Sequence, residues 1–285
     1  MDVFIFKKPL FGKEVEFNIF DADESVEGEV LQAYNEGLRL QKIFNFYDKG
    51  SELSRLNKRR KLRCSQELIL VLSKALEIST FNPKYDVTHG RRFLARKENK
   101  DEIGLGCSYK DVTIDKNTVI LENEEVMIDL GSIAKGYIVD KMYEILEKDG
   151  IDSGIVDGRG DLRIFGKPQI IDIQHPRKKE DIICSINLEN RSVATSGDYL
   201  QYYGSYEKSH IVNSKDIISV TVVADDLMTA DAIATAVFVS DVGSITSLLN
   251  RYAKKYSKHD DIRALVVDRN LKIYYYNDFE GLIIR

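Results

Sequence analysis

The sequence predicts an α+β fold of mixed, largely antiparallel sheets packed with helices. Three observations carry that expectation. Strand-like runs crowd together between residues 154 and 223, helical patterns lie in blocks on either side of them, and the strands do not alternate regularly with helices. No G-x-G-x-x-G run opens a helix after a strand, which disfavours a doubly wound dinucleotide fold.

In chain order, Val15 to Phe20 alternates like a strand, and a helix is expected from about Val26 to Phe46, with Val30, Leu31, Leu38 and Ile43 near one face. A polar loop is expected from Tyr47 to Asn57. A second helix fits Gln66 to Ser79, where Ser65 can cap and Leu68, Leu72, Ala75 and Leu76 form an apolar stripe. Strands fit Val112 to Ile114 and Val119 to Glu122, joined through Asp115-Lys116-Asn117, a run with turn chemistry. A third helix should run from about Ser132 to Lys148 and stop at Gly150. The β block then comprises Gly154 to Val156, Leu162 to Phe165, Gln169 to Gln174, Ile183 to Leu188, Ser192 to Thr195 and Ile217 to Val223. Helices return at about Thr229 to Val239 and Val242 to Tyr256, and a hairpin should close the chain from Arg263 to Tyr276.

With 285 residues and 43% hydrophobic content the chain can bury a substantial core; with only 4 Pro, 18 Gly and no linker-like or repeated stretch, one domain over residues 1–285 is expected. A net charge of -5 argues against a nucleic-acid partner. The basic run Lys58 to Arg63 reads as a solvated loop before a helix, or as a place for an anion. Three scattered cysteines, Cys64, Cys107 and Cys184, form neither a disulfide framework nor a C-x-x-C motif. The start shows no export signal, and no apolar run approaches the roughly 18 residues of a membrane span, so a cytoplasmic protein without such a span is expected.

Ala230-Asp231-Ala232-Ile233-Ala234-Thr235-Ala236 sets a carboxylate and a hydroxyl one helical turn apart among small residues, a place where a hard cation could bridge two oxygens. An Asp near a helix start can equally be a cap. In Ile128-Asp129-Leu130-Gly131-Ser132-Ile133-Ala134-Lys135, Lys135 falls in the first turn of a helix, against the dipole, where either a bound anion offsets the penalty or the side chain snorkels outward to solvent. Asp157-Gly158-Arg159-Gly160-Asp161 is either a plain hairpin or a glycine turn that lets a ligand come close to the backbone. Val193 to Tyr199 ends a strand in hydroxyls and a glycine turn, and Ser209-His210-Ile211 places one histidine in a strand-like run.

Taken in order, Ser51 to Asn57, Tyr85-Asp86-Val87-Thr88, Asp129 to Tyr137, Gly158 to Arg163, Ile173-Gln174-His175-Pro176, Ala194 to Tyr199, Ser209-His210-Ile211 and Ala230 to Ala236 resemble the motifs of the ApbE family, FAD:protein FMN transferases, over about residues 11 to 240. The resemblance implies an ApbE-like fold and binding of FAD together with Mg²⁺. It implies cleavage of the FAD pyrophosphate, transfer of FMN to a Thr or Ser hydroxyl of an acceptor protein, and release of AMP. By that similarity Asp231 and Thr235 would be side-chain ligands of Mg²⁺, with backbone oxygens from Ser132 and Ala234. Lys135 would face the phosphates, Asp129 would hold the ligand, Tyr85 and Asp86 would line the nucleotide pocket, and Phe11, Tyr47 and Asn57 would contact FAD. His210 would take the proton of the acceptor hydroxyl.

Two departures stand out. The family continues after its histidine with aspartate, proline and Thr-Gly, where this chain reads Ile211-Val212-Asn213-Ser214, and Arg159 stands where a second glycine is common. Two rival readings stay open at this level. One is an FAD pyrophosphatase that hands FMN to water, and the other is an FAD-binding protein without catalysis.

Overall fold

The computed structural model describes residues 3–21, 24–98, 104–199, 202–203, 205–209, 216–257 and 261–284. The chain opens with a hairpin of β1 (Val3–Leu10) and β2 (Lys13–Phe20). Phe11 and Gly12 both take positive φ, the two-residue turn that matches the twist of paired strands. Helix α1 (Glu27–Phe44) follows and buries Val30, Ala33, Gly37, Leu40 and Phe44, while Leu31, expected on the apolar face, is exposed.

The expected loop from Tyr47 to Asn57 instead contains a helix, α2 (Glu52–Arg59). Ser51 caps it by accepting the Ser54 N–H, and Leu53 and Leu56, three apart, bury one narrow side. Arg60 ends it in the left-handed region, and its guanidinium bonds the carbonyls of Leu121, Asn123 and Val126. The basic run is therefore split between α2, this tether and β3 (Lys61–Arg63) rather than lying in a solvated loop.

Next come α3 (Gln66–Phe81), capped by Ser65, and α4 (Gly90–Lys97), which the sequence pattern did not suggest. Strands β4 (Val112–Asp115) and β5 (Thr118–Leu121) pair, and β3 joins β5 to complete a small antiparallel sheet. Helix α5 (Ala134–Lys148) begins two residues later than expected. The β block supplies β6 (Gly154–Asp157), β7 (Leu162–Phe165), β8 (Gln169–Gln174), β9 (Ile182–Leu188), β10 (Ser192–Gly197), β11 (Tyr202–Tyr203), β12 (Ser205–Ser209) and β13 (Ile217–Ala224). Helices α6 (Leu227–Phe238) and α7 (Ile245–Tyr256) precede the terminal hairpin of β14 (Arg263–Asp268) and β15 (Ile273–Tyr276).

Eight strands form one antiparallel sheet in the order β1-β2-β6-β7-β10-β13-β14-β15. Every residue of β13 is buried, as befits a central strand covered on both faces. One face carries the main core, with α5 and α6 laid against it; the other is covered by the β8–β9 ribbon, whose Ile173, Ile186 and Leu188 meet Ile164, Val193 and Val267. Alternation along β10 sends Ala194 and Ser196 to the helical face and Val193 to the ribbon face.

Candidate functional site

Four segments converge on the helical side of the sheet: the start of α5, the middle of α6, the end of β10 and the turn between β6 and β7. Ile133, the residue before α5, offers that helix no side-chain cap. The cap comes instead from α6, where Asp231 Oδ2 accepts the Gly136 N–H at 3.0 Å. A carboxylate at a helix N-terminus is favoured by the exposed amide dipoles. Gly136 is the third residue of α5, so its N–H is one of the donors that a helix start leaves without an intrahelical partner, and the Asp231 carboxylate satisfies it.

Gly136 is what lets α5 and α6 come this close. A Cβ at that position would stand 2.4 Å from the Leu227 carbonyl oxygen and 2.8 Å from Met228 Cα. At the start of α6, Asp226 caps Thr229 through both its N–H and its hydroxyl, and Asp140 of α5 accepts the N–H groups of Leu227 and Met228.

Lys135 bridges two carboxylates. Its ammonium is in contact with Asp161 and lies 3.8 Å from Asp231 Oδ2. Burial lowers its pKa, Asp231 opposes that shift, and Arg159 adds to it. Asp161 is itself buried and accepts the Thr195 N–H at 3.1 Å, which ties the β6–β7 turn to β10. Next along β10, Ser196 Oγ lies 3.0 Å from Thr235 Oγ1. On the other side Ser132 Oγ donates to Tyr85 Oη at 3.0 Å, and burial raises the Tyr85 phenol well above its usual range.

The sequence-expected residues fall into three groups. Tyr85, Ser132, Lys135, Asp231 and Thr235 meet in the convergence just described. Ala234 is buried in α6, where a carbonyl belongs to the intrahelical ladder and a cation would share it with an N–H.

Asn57, Asp86 and Asp129 build the wall beside them. Asn57 exchanges two bonds with the Ile128 backbone, at 2.8 and 2.7 Å, and so holds the segment that leads to Asp129. Asp86 spends its carboxylate on Thr88 and on the Tyr109 N–H. Asp129 accepts the Gly131 N–H at 2.9 Å, and burial raises its pKa.

Phe11 and Tyr47 belong to two other corners. Phe11 receives the Arg159 guanidinium on its carbonyl at 2.8 Å, which brings the β1–β2 turn to the β6–β7 turn. Tyr47 is 56% exposed and forms an aromatic corner with Phe46 and Phe93, with Lys97 Nζ 4.0 Å above its ring. His210 lies outside the described residues.

Asp140 and Asp161 escaped the sequence reading of single residues. Asp161 closes the glycine turn Asp157 to Asp161, and Asp140 lies one turn after Gly136 on the same face of α5.

Among the described residues, no group of three or more His, Cys, Asp and Glu gathers to hold a metal. A metal here would rest on mixed oxygens, namely the Asp231 carboxylate, the Thr235 hydroxyl and the carbonyl of Ser132, which precedes α5 and lies outside its ladder. That hard, oxygen-only set fits Mg²⁺. Ionic groups sunk at the meeting of two helices and a sheet, with a glycine clearing their approach, mark an enzyme centre rather than a scaffold surface.

Comparison with known proteins names the class more closely. Residues 11–258 match the ApbE family. The chain is 30% identical over 231 residues to a Haemophilus influenzae protein named FAD:protein FMN transferase, covering 68% of this chain and 67% of that one. A Buchnera aphidicola protein of the same name is 28% identical over 181 residues, and there the match spans only about half of the relative, 51%. In fold, the chain resembles the ApbE protein of Thermotoga maritima, with a TM-score of 0.82 at 23% identity and full coverage of both chains. It also resembles the flavin transferase ApbE of Vibrio cholerae, with a TM-score of 0.80 at 23% identity over 99% of each. The chain belongs to the ApbE family.

Proposed function

We propose that this chain transfers FMN from FAD to a Thr or Ser hydroxyl of an acceptor protein in a Mg²⁺-dependent reaction that releases AMP. The observation that carries the reading is the convergence of Asp231, Lys135 and Thr235 where the start of α5 meets α6, in a chain whose relatives bear the name FAD:protein FMN transferase.

In this reading Asp231, Thr235 and the carbonyls of Ser132 and Ala234 hold Mg²⁺. When bound, the ion offsets charge on the phosphate oxygens and orients them for displacement. Lys135 is already held by Asp161 and Asp231, so its ammonium meets the pyrophosphate from a fixed direction and loses little freedom on binding. Tyr85 fixes the Ser132 hydroxyl and with it the turn that presents the Ser132 carbonyl. Phe11, Tyr47, Asn57, Asp86 and Asp129 line the FAD pocket, directly or through the wall they brace. His210 takes the proton as the acceptor hydroxyl attacks phosphorus, and AMP departs from the opposite side.

The test is incubation with FAD and a candidate acceptor, with and without Mg²⁺, followed by mass measurement of the acceptor. A gain of one FMN only with Mg²⁺ is expected for the wild type, with little gain for His210→Ala despite retained FAD binding. The Asp231→Ala variant should show no Mg²⁺ dependence. Release of FMN to water with an unmodified acceptor would establish the pyrophosphatase instead, and FAD binding without AMP release would establish a binding protein.

A further inference from the structure

Helices α5 and α6 cap one another. Asp231 on α6 accepts the N–H of Gly136 in the first turn of α5, and Asp140 on α5 accepts the N–H groups of the first two residues of α6, at 2.9 Å from Leu227 and 2.8 Å from Met228. The residue before α5 supplies no side-chain bond, and Asp226, before α6, serves only Thr229 among these donors. Each helix start thus depends on a carboxylate of the other helix.

Gly136 and Asp140 are four residues apart and share one face of α5. The bare Gly136 brings the Leu227 carbonyl into contact, while Asp140 grips the two N–H groups beside it. Separation and rotation of α5 against α6 are both fixed by these bonds. Helix α5 also carries Lys135, with Ser132 two residues before its start, towards Asp231 and Thr235 of α6.

The surroundings of Asp140 do not suit a residue kept for stability alone. Burial, and then the negative charge of Asp226, hold its carboxyl up to about 7, against the two N–H donors and Arg163 of β7. Lys74 of α3 lies 3.7 Å from Asp226 and partly balances that neighbour. Both carboxylate oxygens are spent on the first two amides of α6, which is a positional task.

We propose that Asp140 is a positioning residue for the divalent cation. It pins the start of α6 to α5 and thereby sets the span between the Ser132 carbonyl and the Asp231 carboxylate, without touching the ion. The inference rests on the oxygen-lined cation site proposed above. Loss of a residue that orients a metal ligand weakens metal binding about 10–100-fold. Linkage is reciprocal, so the ion must in turn tighten the clamp.

The test uses Mn²⁺ as the probe, titrated into the full chain with saturating FAD at pH 8 and followed by electron paramagnetic resonance. Wild type, Asp140→Asn and Asp226→Asn are compared. Asp226→Asn removes a negative charge beside Asp140 but keeps a cap at the same helix start and leaves the grip from α5 in place. The expected result is a loss of about 10–100-fold for Asp140→Asn, with Asp226→Asn within about twofold of wild type. Equal losses in the two variants, or a wild-type affinity in Asp140→Asn, would overturn the inference.

A second measurement needs no variant. Amide exchange at Leu227 and Met228 of the wild type should slow when Mg²⁺ is added to the FAD-saturated protein, and unchanged exchange would overturn the clamp. Should the FAD-saturated wild type bind no Mn²⁺, the cation site itself falls and the inference with it.

Discussion

Gly136→Ala tests the helix contact on which the whole site depends. The added methyl would stand 2.4 Å from the Leu227 carbonyl oxygen, 2.7 Å from its carbon and 2.8 Å from Met228 Cα, all backbone atoms that no rotamer change can remove. Ordinary contact begins at 3.4 Å, so α5 and α6 must part by about 1 Å. Overpacking of this kind costs about 1–3 kcal/mol. The same shift stretches the bond from the Gly136 N–H to Asp231, and a bond to a charged group contributes about 1.5–3 kcal/mol. Alanine returns about 0.5–1 kcal/mol of helix preference. The net expectation is a loss of about 1.5–5.5 kcal/mol, at about 2–4 °C per kcal/mol in a chain of this size. Thermal unfolding by circular dichroism reads the stability, and a Mn²⁺ titration reads the site. A variant that melts within about 1 °C of wild type, or higher because propensity prevails, would refute the reasoning.

Arg159 takes a φ of 70° in the β6–β7 turn, where a side chain is disfavoured, and its guanidinium reaches the Phe11 carbonyl. Arg159→Ala loses that bond and keeps the strain, whereas Arg159→Gly loses the bond and relieves it. The glycine variant should be the more stable of the two by about 1 kcal/mol in urea unfolding, and equal stabilities would show the backbone to be unstrained. Asp140 titrates at about 7 in the folded chain, above its ordinary carboxylate value, so the folded state holds a proton that the unfolded state has released. Its contribution therefore falls as pH rises from about 4 to 7 and levels off above. Wild type should lose stability relative to Asp140→Asn across that window, read from melting curves at stepped pH, and a constant difference would contradict the assignment.

The large antiparallel sheet and the long helices were legible because their residues repeat at strand or helix spacing. Residues 217–223, almost wholly apolar or β-branched, could hardly be anything but a central strand. Helix α2 was not legible: it presents only Leu53 and Leu56 to the core, too few to show a period amid six polar or charged neighbours. Helix α4 is short and rich in Arg and Lys for the same reason. Strand β1 hides its alternation because Phe4 and Phe6 are half-buried while Val3 and Ile5 are exposed, so both faces read as apolar.

In the site, Asp231, Thr235, Lys135 and Ser132 were identified by motif order, but their mutual arrangement was not. That the cap of α5 comes from Asp231 of α6, across 95 residues of chain, is a tertiary fact that no local pattern encodes. Asp140 and Asp161 were missed because each acts through a partner distant in sequence.

The contact of Lys135 with Asp161 and Asp231 has a consequence for how this region forms. Two carboxylates face one ammonium and the amide-rich start of α5, so the cluster comes close to neutral from the chain's own groups. Small metal-dependent domains stay unfolded without their ion because it provides much of their folding free energy. Here the amine acts as a resident counter-ion, so closure of α5 on α6 would not have to wait for the proposed cation. Such an ion would redistribute charge within a cradle that the chain's own groups build.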